Sequence, residues 1–129
     1  MAGASTGFHE NEEKLSNATR DRHRAIASCM EEMEAVDWYD QRVEATTDSE
    51  LAEILAHNRD EEKEHAAMVL EWIRRNDPVW DEQLRTYLFS EGPILEAEAA
   101  AEGRNGGAGD EPDVCDGSLG IGSLRGGGE

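Results

Sequence analysis

The chain has 129 residues and a formal net charge of -18, from 30 acidic and 12 basic side chains. That is the length of one small domain, and so acidic a composition argues against nucleic-acid or anionic-membrane partners, which need basic surfaces. There is no apolar run of about twenty residues to span a membrane, "MAGASTGFHENEEK" lacks the basic and apolar regions of a secretory signal, and Cys29 and Cys115 suggest reduced thiols of a cytoplasmic protein.

Residues 10 to 45 contain neither glycine nor proline and predict one long helix. Leu15, Ala18, Arg22, Ala25, Cys29, Glu32, Val36, Tyr39 and Val43 recur at steps of three and four. Ile26 and Met33 widen that stripe. Glu32 is its anomaly, a carboxylate where the pattern asks for an apolar residue.

A second helix is expected from Thr47, read as N-cap with Glu50 completing a capping box. It should end before Asn76-Asp77-Pro78. Its seam reads Leu51, Leu55, Asn58, Glu62, His65, Val69 and Trp72. Glu62 and His65 therefore fall inside, while Glu61, Lys63 and Glu64 fall on the solvated side. The short link between the two helices implies antiparallel neighbours.

A third, shorter helix is expected with Asp77 as N-cap and Pro78 in its first position, running towards Gly92-Pro93. The fold class is all-α: an antiparallel two-helix hairpin plus a short C-terminal helix. Most of the 13 glycines lie after residue 91. Residues 1–91 are accordingly the helical part, and residues 92–129 read as a flexible Gly-rich tail. Within it, "DGSLGIGSL" (116–124) spaces Leu119, Ile121 and Leu124 among glycines. That pattern suits either a docking peptide or an unstructured end with incidental aliphatics.

A carboxylate in an apolar seam costs roughly several kcal/mol unless paired or neutralised. Here Glu32, Glu62 and His65 share the seams of two adjacent helices. A divalent cation would relieve the repulsion between the two carboxylates. Mixed carboxylate and imidazole donors suit iron, manganese or zinc. Ferritin-like di-iron bundles take one Glu from each of two helices and a Glu-x-x-His pair from each of the other two. This chain offers one lone Glu and one such pair, which is half of that set. A two-fold homodimer, a four-helix bundle, would supply the other half, and so small a chain also gains from the added burial.

Other residues have two readings each. Tyr39 is a core aromatic or a phenol near the metals, and the second is preferred. Trp38 packs beside the site or shields it. Glu31 and Glu34 are solvated charges or guides for incoming cations. Asn58 is placed to hydrogen-bond behind the ligands. His9, His23 and His57 read as surface or packing residues.

The segments "RHRAIASCMEEMEAVDWYDQR", "LAHNRDEEKEHAAMVLEWIRRND", "LRTYLFSEGPI" and "DGSLGIGSL" closely resemble the encapsulated ferritins, ferroxidases packaged inside encapsulin nanocompartments. The resemblance implies a ferritin-like four-helix bundle formed by two subunits, with dimers assembled into a ring, typically a decamer. It implies two iron ions at the dimer interface, held by Glu32, Glu62 and His65, with Tyr39 close and Trp38 beside the site. It implies an outer metal-uptake site on Glu31 and Glu34. It further implies Fe(II) oxidation by dioxygen, with the iron stored in the encapsulin lumen, and docking to the shell protein through the C-terminal peptide. Two alternatives from the residues themselves are another di-metal carboxylate protein and a non-catalytic helical cargo adaptor. In the adaptor, the seam Glu and His would pair with each other or with Asn58 and Arg22.

Overall fold

The computed structural model describes residues 7–108. The peptide 116–124, with Leu119, Ile121 and Leu124, lies outside the described residues. Four α-helices follow a short 3-10 turn at Glu12–Lys14: α1, Asn17–Ala45; α2, Ser49–Arg75; α3, Pro78–Tyr87; and α4, Ile94–Ala108. There is no strand among the described residues.

The long first helix begins later than its composition suggests. Asn11 caps the 3-10 turn, and Leu15 is extended. Ser16 then caps α1, its hydroxyl accepting the Thr19 N–H at 3.1 Å. A side-chain oxygen there satisfies a backbone donor that the first helical turn leaves free. The segment before it folds back on α1. Phe8 lies against the His23 ring, with centroids 4.4 Å apart, and Arg20 donates to the Glu12 carbonyl at 2.7 Å.

The start of α2 also differs by one residue from the expectation. Asp48, not Thr47, is the N-cap, and its carboxylate accepts the Leu51 N–H at 2.8 Å. A charged cap at the positive end of the helix adds a dipole interaction that a threonine lacks. Thr46 helps to shape the link, since its hydroxyl accepts the Asp48 N–H. At the other end, Asn76 closes α2 by donating from its backbone and its side chain to the Trp72 carbonyl. Glu71 accepts from Arg74 and Arg75 one turn on, and those guanidinium groups hold its carboxyl down at about 2.

The link Thr46–Asp48 turns the chain back, and α1 packs against α2. The contact is thin. Ala66 and Ile73 are the buried apolar residues among those described. The covered face of α2 keeps Leu55, Asn58, Glu62 and Val69 of the expected seam and adds Ala66 and Ile73 beside it. Leu51 and Trp72, expected inside, are exposed. The reason is geometric. One neighbouring helix covers one narrow stripe of α2, and the expected seam straddles that stripe and the edge beside it. Ile54, Met68 and Trp72 on α2, with Ile26, Met30, Met33 and Trp38 on α1, stay open to solvent. Burying each such side chain is worth roughly 1.5–3 kcal/mol.

The chain divides into two compact units, residues 1–78 and 79–129. The break falls earlier than the compositional change at residue 91. The next helix, α3, starts at Pro78 as expected. It stops at Tyr87, short of Gly92, where Phe89 takes a left-handed φ of 63° and is 98% exposed. Residues 94–108, expected as part of a flexible tail, form α4. The alanine-rich run "ILEAEAAAE" carries enough helix propensity to override the glycines that follow.

The cap assignment makes a direct prediction. Asp48→Ala should lower the unfolding free energy of the chain by about 1 kcal/mol, whereas Thr47→Ala should change it by less than about half of that. Urea denaturation of the two variants, followed by circular dichroism, measures the difference.

Candidate metal centre

Glu32 stands near the middle of α1, and Glu62 and His65 stand one turn apart near the middle of α2. The antiparallel packing brings the three together. The imidazole Nδ1 of His65 lies 2.9 Å from a Glu62 oxygen and 3.7 Å from a Glu32 oxygen. One donor atom from each residue falls within 4.8 Å of the others. The two glutamates are each 23% exposed, while His65 is 46% exposed. Helical phase explains the difference: His65 is turned from the covered stripe towards the open edge of the hairpin that also carries Ile54, Met68 and Trp72.

The electrostatics are those of a site short of positive charge. Burial pushes the Glu32 carboxyl up, and the facing Glu62 carboxylate pushes it further. The one group pulling it down is His65. The His65 imidazole is itself raised above 6.5, chiefly by its contact with Glu62, although partial burial opposes this. Two carboxylates and an imidazole whose donor atoms lie within 4.8 Å of one another are a set that can hold a divalent cation. Three donors leave further coordination positions to be filled from the open side.

The other expected residues are placed around this cluster rather than in it. Tyr39 is half-buried two turns beyond Glu32, with the Arg42 guanidinium 5.4 Å from its ring centroid. The same guanidinium lies 5.9 Å from the ring of Trp38, which is exposed. Glu31 is exposed and Glu34 half-buried on the outer side of α1. Asn58 is half-buried one turn before Glu62. Arg22 donates to Thr19, so it does not serve the cluster. His57 pairs with Glu61 on the surface.

Two grooves flank the cluster on the first unit. One, of about 400 Å³, is lined by residues that include Ala25, Ser28, Met68, Val69 and Trp72. The other is lined by Trp38, Gln41, Arg42 and Ala45. Sequence reasoning missed Met68 and Ile54 on this face. Their signal was the second apolar set at 54, 68 and 72, which merges with the first seam. It also missed the contact of Arg59 with Asp40 across the hairpin, which becomes visible only once the two helices are set side by side.

A helical hairpin that brings one lone glutamate to a Glu-x-x-His pair carries the ligand pattern of one half of a ferritin-like di-iron bundle. Residues 7–91 match the EncFtn-like family. Over 130 residues the chain is 63% identical to the encapsulated ferritin-like protein of Rhodospirillum rubrum, an alignment covering 98% of this chain and 93% of that one. Over 100 residues it is 37% identical to the encapsulin nanocompartment cargo protein EncC of Myxococcus xanthus, covering 73% and 76%. A crystal structure of a Nitrosomonas europaea protein superposes with a TM-score of 0.67 at 64% identity, covering 68% of this chain and 97% of that one. The chain belongs to the EncFtn-like family, the encapsulated ferritins.

The electrostatics of the cluster predict its titration in the metal-free protein. Because His65 is raised above 6.5, the stability it contributes is present below that pH and is lost as pH rises through the folded value. Glu62→Gln should move the His65 titration down towards 6.5, read by NMR of the imidazole protons.

Proposed function

We propose that the protein is a ferroxidase, taking Fe(II) as substrate and dioxygen as oxidant. The observation that carries this reading is the convergence of Glu32, Glu62 and His65, with donor atoms within 4.8 Å, at the open edge of a half-bundle. Two carboxylates and one imidazole hold Fe(II) through hard and borderline donors, and negative ligands favour the Fe(III) product over the Fe(II) substrate.

Three donors do not complete an iron site. A second copy of the chain, set against the open apolar edge, would bring its own three donors and bury Met68, Trp72 and Ile54. The dimer then carries a four-helix bundle with two irons, four carboxylates and two imidazoles. Further burial on the opposite side of the hairpin, where Ile26, Met30 and Met33 are exposed, would let dimers associate into a ring, proposed as a decamer. Tyr39, two turns beyond Glu32, would act on the site through its phenol, and Trp38 would screen it from water. Asn58 supports the ligands from one turn away. Glu31 and Glu34 concentrate cations at the outer surface, an effect that salt weakens.

By likeness to its encapsulated relatives, the protein is proposed to be cargo of an encapsulin shell in the cytoplasm, with product iron stored in the lumen. The peptide 116–124 would dock to the shell, with Leu119, Ile121 and Leu124 entering apolar pockets. Among the described residues no helix is long and apolar enough to cross a membrane.

One observation favours a second reading. His65 and Glu62 already satisfy each other at 2.9 Å, as they would in a metal-free helical cargo adaptor. Fe(II) oxidation separates the two readings. Glu62→Ala and His65→Ala should each reduce the initial rate at least about tenfold, measured by oxygen consumption and Fe(III) absorbance. Variants that oxidise iron at the parental rate would rule out this site. Manganese retained in place of iron, with no oxygen uptake, would instead indicate another di-metal carboxylate protein. Deleting residues 116–124 should leave the oxidation rate unchanged and abolish co-purification with a co-expressed encapsulin shell.

A further inference from the structure

The cluster depends on the register of α1 against α2, because Glu32 comes from one helix and Glu62 and His65 from the other. Each residue advances a helix by about 1.5 Å and turns it by about 100°. A slip of a single residue would therefore separate donors that now lie within 4.8 Å. Yet little in the apolar contact resists such a slip. Ala66, the buried residue beside the cluster, is small, and Ile73 lies two turns further along. When both are ionised, the facing carboxylates of Glu32 and Glu62 repel each other across the two helices.

Arg59 supplies a directional tie at this level of the hairpin. It precedes Glu62 by one turn of α2 and is 22% exposed. One guanidinium nitrogen, Nη1, donates to Asp40 Oδ1 on α1 at 2.8 Å, and Nε donates to Asp60 Oδ1 at 3.0 Å. Asp60 is braced in turn by Lys63 at 3.2 Å. Helical phase puts Arg59 on the flank of Glu62 opposite to His65. The rigid planar fork of arginine fixes a direction that a lysine ammonium would not.

We infer that Arg59 is a positioning residue, whose tie to Asp40 sets the helix register that brings Glu32 to Glu62 and His65. The inference rests on the metal reading of the cluster. Arg59 touches no donor of the site and acts through the helices. Exposed ion pairs add little to global stability, and Asp40 is exposed. The effect of breaking the tie should thus fall on the donor geometry more than on unfolding.

Co(II), whose visible absorption reports coordination geometry, is the probe. Metal uptake is measured on the full chain by calorimetry and by the visible spectrum, without any turnover. Arg59→Ala and Asp40→Asn should each weaken Co(II) binding by about tenfold and alter band positions or intensities at saturation. Arg59→Lys should recover only part of the loss. The exchange Arg59→Asp with Asp40→Arg should restore binding, with helix content and melting temperature close to the parent throughout. Parental Co(II) affinity and spectrum in both Arg59→Ala and Asp40→Asn would overturn the inference while leaving the metal reading intact. So would an exchange variant no better than the single ones. A parental protein that takes up no Co(II) would overturn the metal reading, and this inference with it.

Discussion

Two carboxylates facing each other across a two-helix hairpin are the feature that the rest of the molecule must accommodate. At about 4 Å, two unit charges repel by about 4 kcal/mol at an effective dielectric of about 20. Partial burial adds a desolvation cost to each ionised group. The usual sources of relief are distant. Glu32 and Glu62 lie near the centres of α1 and α2, so neither helix N-terminus brings its positive end to them. Arg59, the cation on the flank of Glu62, is engaged by Asp40 and Asp60. Only His65 pulls Glu32 down. Burial and the neighbouring Glu62 raise Glu32, and Glu62 in turn raises His65.

The hairpin itself cannot bury this conflict. Helices of 29 and 27 residues run about 40 Å side by side, yet each covers only one stripe of the other. Large apolar side chains remain exposed along both edges. What holds the pair is distributed: caps at Ser16 and Asp48, the short link, the closure at Asn76, and the tie from Arg59 to Asp40. His65, the third donor, is on the open edge beside Met68 and Trp72. A surface that covered that edge would therefore also lie beside the cluster.

Much of this arrangement is legible in the order of the amino acids. Glu62 and His65 separate from Glu61, Lys63 and Glu64 by helical phase alone, and Glu32 stands out because its stripe is otherwise apolar. Pro78 marks the start of α3. The misses have physical causes. Thr47 and Asp48 are both competent caps, and the choice turns on which side chain reaches a free N–H, a matter of local torsions. His65 and Trp72 fall on the expected inner seam because periodicity does not distinguish a covered stripe from a second apolar face awaiting cover. The helix α4 is hidden by the glycines around it, since composition averaged over a long window masks an alanine-rich stretch inside it. The pairing of Arg59 with Asp40 depends on the offset between two helices, which no pattern within either helix contains.

The choice of histidine as the neutralising partner carries the functional argument furthest. A lysine in place of His65 would quiet the carboxylates permanently, and the site would then have no need of a metal. An imidazole neutralises them only while protonated. Once it loses that proton it becomes a donor of the same cluster, through the Nδ1 atom that already faces both glutamates. The stretch Glu62-x-x-His65 thus sets beside the carboxylates a counter-charge that depends on pH. A cation bound by donors that carry protons would release those protons, and its binding would strengthen as pH rises. In a chain of net charge -18, the imidazole within reach of two carboxylates is what sets this one cluster apart from the many solvated carboxylates around it.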